Sequence, residues 1–119
     1  MNEYNVLGGV LEICSCAPLT GFLRDGYCHT HDQDYGRHFV CAVVDEAFLD
    51  FTRSRGNDLS TPNPAYQFPG LKPGDRWCLC VLRWLEAEKA GVAPRLVLES
   101  CHEAALRFAP LEVLGSYAQ

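Results

Sequence analysis

The stretch PGLKPGDRWCLCVLRW, residues 69–84, decides the fold of this chain. Its two Pro-Gly pairs predict tight turns, because proline fixes φ and glycine adopts a positive φ at little cost. The apolar residues that follow predict a central, buried strand over residues 76–82, in which Cys78 and Cys80 share one face. A helix over residues 83–90 is predicted directly behind the strand. The remainder of the chain is expected to pack around this unit.

A second strand and helix precede this unit in the sequence. Residues 39–44 form an apolar run that predicts a strand, and Asp45 then offers a suitable N-cap for a helix that ends near Arg55. Gly56 is expected to end this helix with a positive φ. A third apolar strand is predicted over residues 96–98.

The C-terminal part of the chain predicts further helices. Ser100 and Glu103 have the spacing of a capping box, and Pro110 suits the first turn of a last helix. Strands and helices therefore alternate behind an irregular N-terminal third. We predict a single α+β domain over residues 1–119, a two-layer sandwich of three to five strands with three or four helices on one face. A small doubly wound α/β fold is the alternative.

Composition and charge restrict the classes of function. A chain of 119 residues with 48% hydrophobic residues fits one soluble domain, and its net charge of −5 argues against a nucleic-acid partner. The sequence shows no apolar run of membrane-spanning length and no leader at its start, so a cytoplasmic protein without a membrane partner is expected. Residues 53–83 nevertheless carry a charge of +3, against −8 in the rest of the chain. This imbalance is compatible with a small anionic ligand.

Seven cysteines are present, and no two of them form a CxxC pair. In a cytoplasmic protein we expect them to be reduced thiols, metal ligands or redox groups rather than a disulfide framework. The odd number agrees, because at least one cysteine cannot pair within the chain. Packing in the core is the plain alternative for Cys41 and Cys78, since free cysteine behaves as a small hydrophobic residue.

The long segment over residues 56–75, GNDLSTPNPAYQFPGLKPGD, predicts an ordered binding loop. Such a length without regular structure is uncommon in a small domain and is usually functional. Its short polar side chains, its backbone N–H groups and the arginine at the start of the next strand predict a site for a carboxylate or phosphate. The site is expected at the mouth of the strand that carries Cys78 or Cys80. Its ligand-binding residues are Asn57, Asp58, Ser60, Thr61 and Arg76.

Three other functions remain open from the sequence. A thiol enzyme would use Cys78 or Cys80 as nucleophile and His38 or His102 as base. A metal-binding protein, with zinc as the expected ion if any cofactor is bound, would use Cys41, Cys78, Cys80 and a histidine such as His38. An adaptor without chemistry is the last possibility.

Several motifs together resemble one family: NVLGG, PLTGFLRDGYC, GRHFVCAVV, SRGNDLSTPNP, FPGLKPGDRWCLCVLRWLEAEKAGVAPRLVLES and HEAAL. The chain is similar over nearly its whole length to domain-of-unknown-function family 2237, small proteins found mainly in bacteria. The resemblance implies one compact α+β domain and brings no established activity. The family pattern has cysteines and histidines that match Cys14, Cys28, Cys41, Cys78, Cys80, His38 and His102. The sequence departs from that pattern at Cys16, His29, His31 and Cys101.

Overall fold

The computed structural model describes residues 3–119. The N-terminal segment, for which the sequence predicts no leader, starts at residue 1, so its first two residues lie outside the described part of the chain. Three antiparallel strands form one sheet: β1 (Val40–Val43), β2 (Arg76–Leu79) and β3 (Arg95–Leu96). The α-helices are α1 (Glu46–Ser54), α2 (Val81–Lys89) and α3 (Leu111–Gly115). The predicted α+β class is confirmed. The doubly wound alternative is wrong, because that fold requires a mostly parallel sheet.

The strand predicted to be central lies at an edge of the sheet. The strand order is β2-β1-β3, so β1 is the middle strand. β2 is nevertheless buried, because the N-terminal third covers its open edge: the hydroxyl of Thr20, which is fully buried, accepts a 2.8 Å hydrogen bond from the backbone N–H of Cys78. This covering explains why the sequence of β2 is apolar on both faces, as a central strand would be.

β2 is also shorter than predicted, and α2 begins earlier. The strand ends at Leu79, and Cys80 is the N-cap residue of α2, which starts at Val81. Cys80 therefore does not share a strand face with Cys78. The first turn of α2 is apolar like the strand before it, so the alternating pattern of the strand runs on in the sequence beyond the point where the strand ends. For this reason the sequence assigned both cysteines to one strand face.

The boundaries of α1 are confirmed. The Asp45 carboxylate accepts a 2.8 Å hydrogen bond from the Phe48 N–H, which satisfies one of the free donors at the helix start. At the other end Gly56 has a φ of +88°. Arg55 is the C-cap, and Gly56 turns the chain away from the helix axis.

Replacing Gly56 by alanine is expected to lower the free energy of unfolding by about 1 kcal/mol. The space around a Cβ at this position is open, so the cost comes from the positive φ alone. Urea unfolding measures the difference. Gly115→Ala is the matched control, because Gly115 also has open space but no positive φ. Equal stability of the two variants would contradict the explanation.

The predicted capping box after β3 is wrong. Ser100 is buried, and its hydroxyl donates a 2.9 Å hydrogen bond to the carbonyl of Ile13, so it ties the N-terminal third to the domain. His102 instead caps the 3₁₀ helix Glu103–Arg107, with its ring nitrogen Nδ1 accepting from the Ala104 N–H at 3.0 Å. None of the helices formed by the described residues has the length and apolar character needed to cross a bilayer.

Candidate functional site: a buried four-cysteine centre

Two cysteines lie next to each other on adjacent strands of the sheet, and two more from the N-terminal third are bonded to them. Cys41 of β1 and Cys78 of β2 are direct partners in the strand register, so their side chains lie on the same face. Cys14 forms a disulfide with Cys41, and Cys28 forms a disulfide with Cys78. We call these four residues the four-cysteine centre. It fastens the irregular N-terminal third to the two strands.

The expectation that the cysteines are not paired in disulfides is therefore wrong for these four. It followed from the expected compartment, whereas the pairing follows from the fold. The N-terminal third has few strand or helix hydrogen bonds, and the two disulfides close loops of 27 and 50 residues that hold it in place. The available signal was the resemblance to family 2237, which implies cysteines at all four of these positions.

The two disulfides are in contact with each other and away from water. The sulfur atoms of Cys14, Cys28 and Cys78 all lie within 4.8 Å of one another. Exposure is 3% for Cys14 and 1% or less for the other three residues. Two adjacent buried disulfides are able to exchange partners once one of them is opened, because exchange requires a thiolate within reach of a disulfide sulfur.

Local hydrogen bonds place Cys14 and Cys28 within reach of the sheet. The N–H of Cys14 donates to the carbonyl of Gly26 at 2.7 Å, and that turn immediately precedes Cys28. Gly26 has a φ of +92°, which a residue with a Cβ rarely adopts. Further back, the Asn5 side chain accepts from the N–H groups of Leu7 and Gly9 and orders the entry into this segment.

A small cavity of about 150 Å³ opens next to the Cys28–Cys78 disulfide. It is lined by Gly21, Phe22, Arg24, His38, Trp77 and Cys78. Asp34, whose side chain is almost completely buried, accepts a 2.6 Å hydrogen bond at Oδ1 from His38 Nδ1 and a 3.0 Å bond at Oδ2 from the His38 backbone N–H. The Arg24 guanidinium lies 5.3 Å from the centre of the Trp77 ring.

This arrangement resembles the activation of a sulfur nucleophile. A carboxylate that accepts from Nδ1 fixes the orientation of the imidazole and leaves Nε2 available for proton transfer. A nearby guanidinium stabilises a thiolate. Of the four sequence-predicted pairings of a cysteine with a histidine base, Cys78 and His38 line the same small cavity. Asp34 was missed, although it lies only four residues before His38.

The other candidate residues lie elsewhere. Cys80 is half-buried at the start of α2, and Cys16 is exposed. Cys101 is buried beside the centre, with its sulfur 3.3 Å from the N–H of Cys41. Burial raises the pKa of the Cys101 thiol to about 12, so it stays protonated and unreactive at neutral pH.

His102 lines a different and much larger cavity, of about 830 Å³. Its Nδ1 accepts from a backbone N–H, so the neutral ring carries its proton on Nε2. Nε2 lies 3.3 Å from a Glu3 oxygen but is not aligned with it, and among the described residues this buried donor has no hydrogen-bond partner. The same cavity is lined by two arginines and four carboxylates, so its charge is mixed: Arg37, Arg107, Glu3, Asp32, Asp34 and Glu103.

Glu3 and His29 form an ion pair at the edge of this region. Burial by itself would raise the pKa of Glu3, but hydrogen bonds from His29 and Thr30 outweigh it and hold that pKa below its usual value. Burial would likewise lower the pKa of His29, but its hydrogen bond to Glu3 and the charges of Asp25 and Glu3 raise it. Both shifts favour the charged forms, so at mildly acidic pH the ionised carboxylate of Glu3 attracts the protonated ring of His29.

The His29→Asn variant is expected to be less stable than the parent protein in a defined pH window. The contribution of Glu3 is present above its ordinary pKa of 4.5 and is lost as the pH falls through its lowered value. The contribution of His29 is present below its ordinary pKa of 6.5 and is lost as the pH rises through its raised value. Urea unfolding between pH 4 and 9 should thus show the largest difference between about pH 4.5 and 6.5. A difference that is largest at pH 9 would contradict this assignment.

The predicted anion site in the GNDLSTP segment has its donors engaged within the loop. The Asp58 carboxylate accepts from the N–H groups of Ser60 at 2.9 Å and Thr61 at 3.1 Å, and from the Thr61 hydroxyl at 2.6 Å. These hydrogen bonds, above all that from the Thr61 hydroxyl, lower the pKa of Asp58. Asn57 donates to the Thr52 hydroxyl at 3.0 Å. The Asp58 carboxylate therefore occupies donors of this loop that were predicted to bind an anionic ligand.

Arg76 lies at the start of β2 in a groove with Glu12 and Glu99, whereas Cys78 lines the small cavity. Neither space is lined by residues 57–61 of the described chain. The structure therefore places Arg76 and Cys78 in separate surroundings, and their joint site with the loop remains a prediction.

Comparison with known proteins agrees with the sequence motifs. Residues 4–118 match the model of a family described as an uncharacterized protein conserved in bacteria, domain of unknown function 2237. No curated protein is similar enough to count as a match. The matched region covers nearly the whole chain, so this protein belongs to that family.

Proposed function

We propose that this member of family 2237 is a thiol–disulfide redox protein whose Cys28–Cys78 disulfide is reduced and reformed by exchange with a thiol partner. The observation that carries the proposal is the position of this disulfide beside the cavity that contains His38, with the second disulfide in contact behind it. Disulfides in cytoplasmic proteins are as a rule transient and catalytic or redox-sensing, which agrees with the location expected from the sequence.

The exchange transfers two electrons and two protons from a dithiol to the protein. A thiolate of the dithiol attacks the sulfur of Cys78, the bond to Cys28 breaks, and its electron pair leaves on the sulfur of Cys28, which takes up a proton. The second thiol of the dithiol then loses its proton and attacks its partner sulfur in the mixed disulfide. This step releases Cys78, which is protonated in turn, and leaves the dithiol oxidised to a disulfide.

The surroundings of Cys78 suit these steps. His38, oriented by Asp34, accepts the proton of the incoming thiol and returns it to a leaving thiolate. The positive charge of Arg24 lowers the free energy of a thiolate in the cavity. The small volume of the cavity restricts access to a single extended side chain or a small thiol.

Differential alkylation tests the proposal. The native oxidised protein is treated with a small excess of dithiothreitol, quenched with iodoacetamide and mapped by mass spectrometry. We expect Cys28 and Cys78 to be alkylated while Cys14 and Cys41 remain paired, because only the first pair borders the cavity. Reduction of Cys28–Cys78 only after denaturation, or reduction of Cys14–Cys41 before it, would refute the proposal. The Cys80→Ser variant is the control and should react as the parent does.

Binding of a small anion is the second candidate, and the buried Nε2–H of His102 favours the large cavity as its place. This donor and the guanidinium groups of Arg37 and Arg107 could bind a carboxylate or phosphate. Calorimetric titration with phosphate and citrate tests it, with His102→Gln as the variant. The anion site predicted at Asn57, Asp58, Ser60, Thr61 and Arg76 is tested in the same experiment by the variant Thr61→Ala. Loss of binding in only one of the two variants identifies which place binds the anion.

A further inference from the structure

We infer that Cys14, Cys28, Cys41 and Cys78 form a tetrahedral thiolate site for Zn²⁺ when both disulfides are reduced. The inference rests on the proposed redox function, since it concerns the reduced state of the same four residues. It describes a centre with two states, one closed by two disulfides and the other closed by one metal ion.

The distances between the sulfur atoms carry the inference. A zinc ion binds thiolate sulfur at about 2.3 Å, so the sulfurs of a tetrahedral site are about 3.8 Å apart. The sulfurs of Cys14, Cys28 and Cys78 already lie within 4.8 Å of one another, and Cys41 is bonded to Cys14. Cys28 and Cys78 are bonded to each other, so the informative distances are those from the Cys14 sulfur to these two. Breaking the two S–S bonds lets the paired sulfurs separate, and side-chain rotation is then required to bring the Cys41 sulfur within reach of the same ion.

The placement of the ligands in the fold suits a metal site that is closed to solvent. Cys41 and Cys78 stand opposite each other on adjacent strands, and Cys14 and Cys28 lie in two irregular segments of the N-terminal third. All four are buried, and four thiolates without a water ligand are typical of structural zinc sites. The metal would replace the disulfides as the link between the N-terminal third and the sheet.

The two states are connected by a balanced reaction. Each disulfide takes two electrons and two protons from a dithiol reductant, which is oxidised to its own disulfide. The four thiols that result release four protons on binding Zn²⁺, so the affinity for the ion rises with pH. Oxidation of the four thiolates by two equivalents of a disulfide acceptor reforms both protein disulfides and releases the metal ion, and the acceptor takes up four protons and leaves as four thiols.

This ligand set differs from the one expected from the sequence. Cys41 and Cys78 are retained, but Cys80 is the N-cap residue of α2 and forms no disulfide with the other cysteines. His38 is engaged with Asp34 in the cavity beside the centre. A matched pair of variants therefore separates the two sets.

Titration of the reduced protein with Co²⁺ tests the inference. The protein is reduced with a phosphine under argon, so that no thiol reagent competes for the ion. We expect one Co²⁺ per chain, with the intense visible bands of tetrahedral cobalt and sulfur-to-cobalt charge transfer, and displacement of Co²⁺ by one equivalent of Zn²⁺. Binding without tetrahedral bands, or no binding, would overturn the inference.

The variants Cys14→Ser and Cys80→Ser supply the comparison. Cys14→Ser should weaken Co²⁺ binding at least tenfold and reduce the charge-transfer band by about one quarter, whereas Cys80→Ser should bind as the parent does. The reverse result would assign the ion to the sequence-predicted set. If the metal-free reduced protein unfolds, circular dichroism replaces the titration: Zn²⁺ should restore the native spectrum in Cys80→Ser and not in Cys14→Ser, and failure in both would overturn the inference.

Failure of this inference is distinguishable from failure of the redox proposal. If native disulfides exchange with dithiothreitol but the reduced protein does not bind Co²⁺, only the metal site is refuted. If the native disulfides resist reduction but protein reduced in urea and refolded binds Co²⁺, the metal site stands and the redox function is refuted.

Discussion

The double variant Cys28→Ala/Cys78→Ala is expected to unfold with a free energy about 4 kcal/mol lower than that of the oxidised parent protein. The disulfide it removes closes a loop of 50 residues, and the lost constraint on the unfolded chain gives this magnitude. Urea unfolding under non-reducing conditions measures it. The loss should be large because the disulfide also fixes the N-terminal third, which has few strand or helix hydrogen bonds of its own.

Two controls separate this effect from the packing of the sulfur atoms. Cys16→Ala replaces an exposed free thiol and should leave stability unchanged. In the presence of a phosphine reductant, the free energies of unfolding of the double variant and the parent should differ only by the smaller contribution that packing of the two sulfur atoms makes. A double variant as stable as the oxidised parent would mean that Cys28 and Cys78 are not paired.

The His38→Asn variant is expected to react with dithiothreitol about a hundredfold more slowly than the parent protein at pH 7. In the proposed exchange the imidazole, which is hydrogen-bonded to Asp34, transfers a proton between the incoming and leaving sulfur atoms, and asparagine cannot do so. Stopped-flow measurement of thiol release gives the rate.

His31→Asn is the matched control for this prediction, because His31 lines the large cavity and not the small one. Its rate should equal that of the parent. Equal rates for all three proteins would show that exchange at Cys78 proceeds without help from the histidine, and His38 would then have only a structural role beside Asp34.

Local chemistry in the sequence predicts part of this fold well. The Asp45 cap and the positive φ of Gly56 follow from properties of single residues, and both are present. The order of strands was not predictable in the same way. Apolar residues on both faces of β2 indicate that the strand is buried. They do not reveal whether its outer edge is covered by a neighbouring strand or, as observed, by the part of the N-terminal third that contains Thr20.

The candidate site shows the same division. Cys78 and His38 were identified as a possible nucleophile and base because their residue types suit that chemistry. The disulfide partners Cys14 and Cys28 were not, because pairing depends on contacts 27 and 50 residues apart that no local pattern encodes. The strand register that sets Cys41 opposite Cys78 is likewise a long-range property.

The reduction potential of the Cys28–Cys78 pair tests the central claim most directly. The native protein is equilibrated with glutathione buffers of known potential, the free thiols are trapped with iodoacetamide, and the fraction reduced is read by mass spectrometry. A redox-active pair should give a potential above about −300 mV, within reach of a cytoplasmic glutathione pool. A potential well below about −300 mV, as structural disulfides have, would contradict the account.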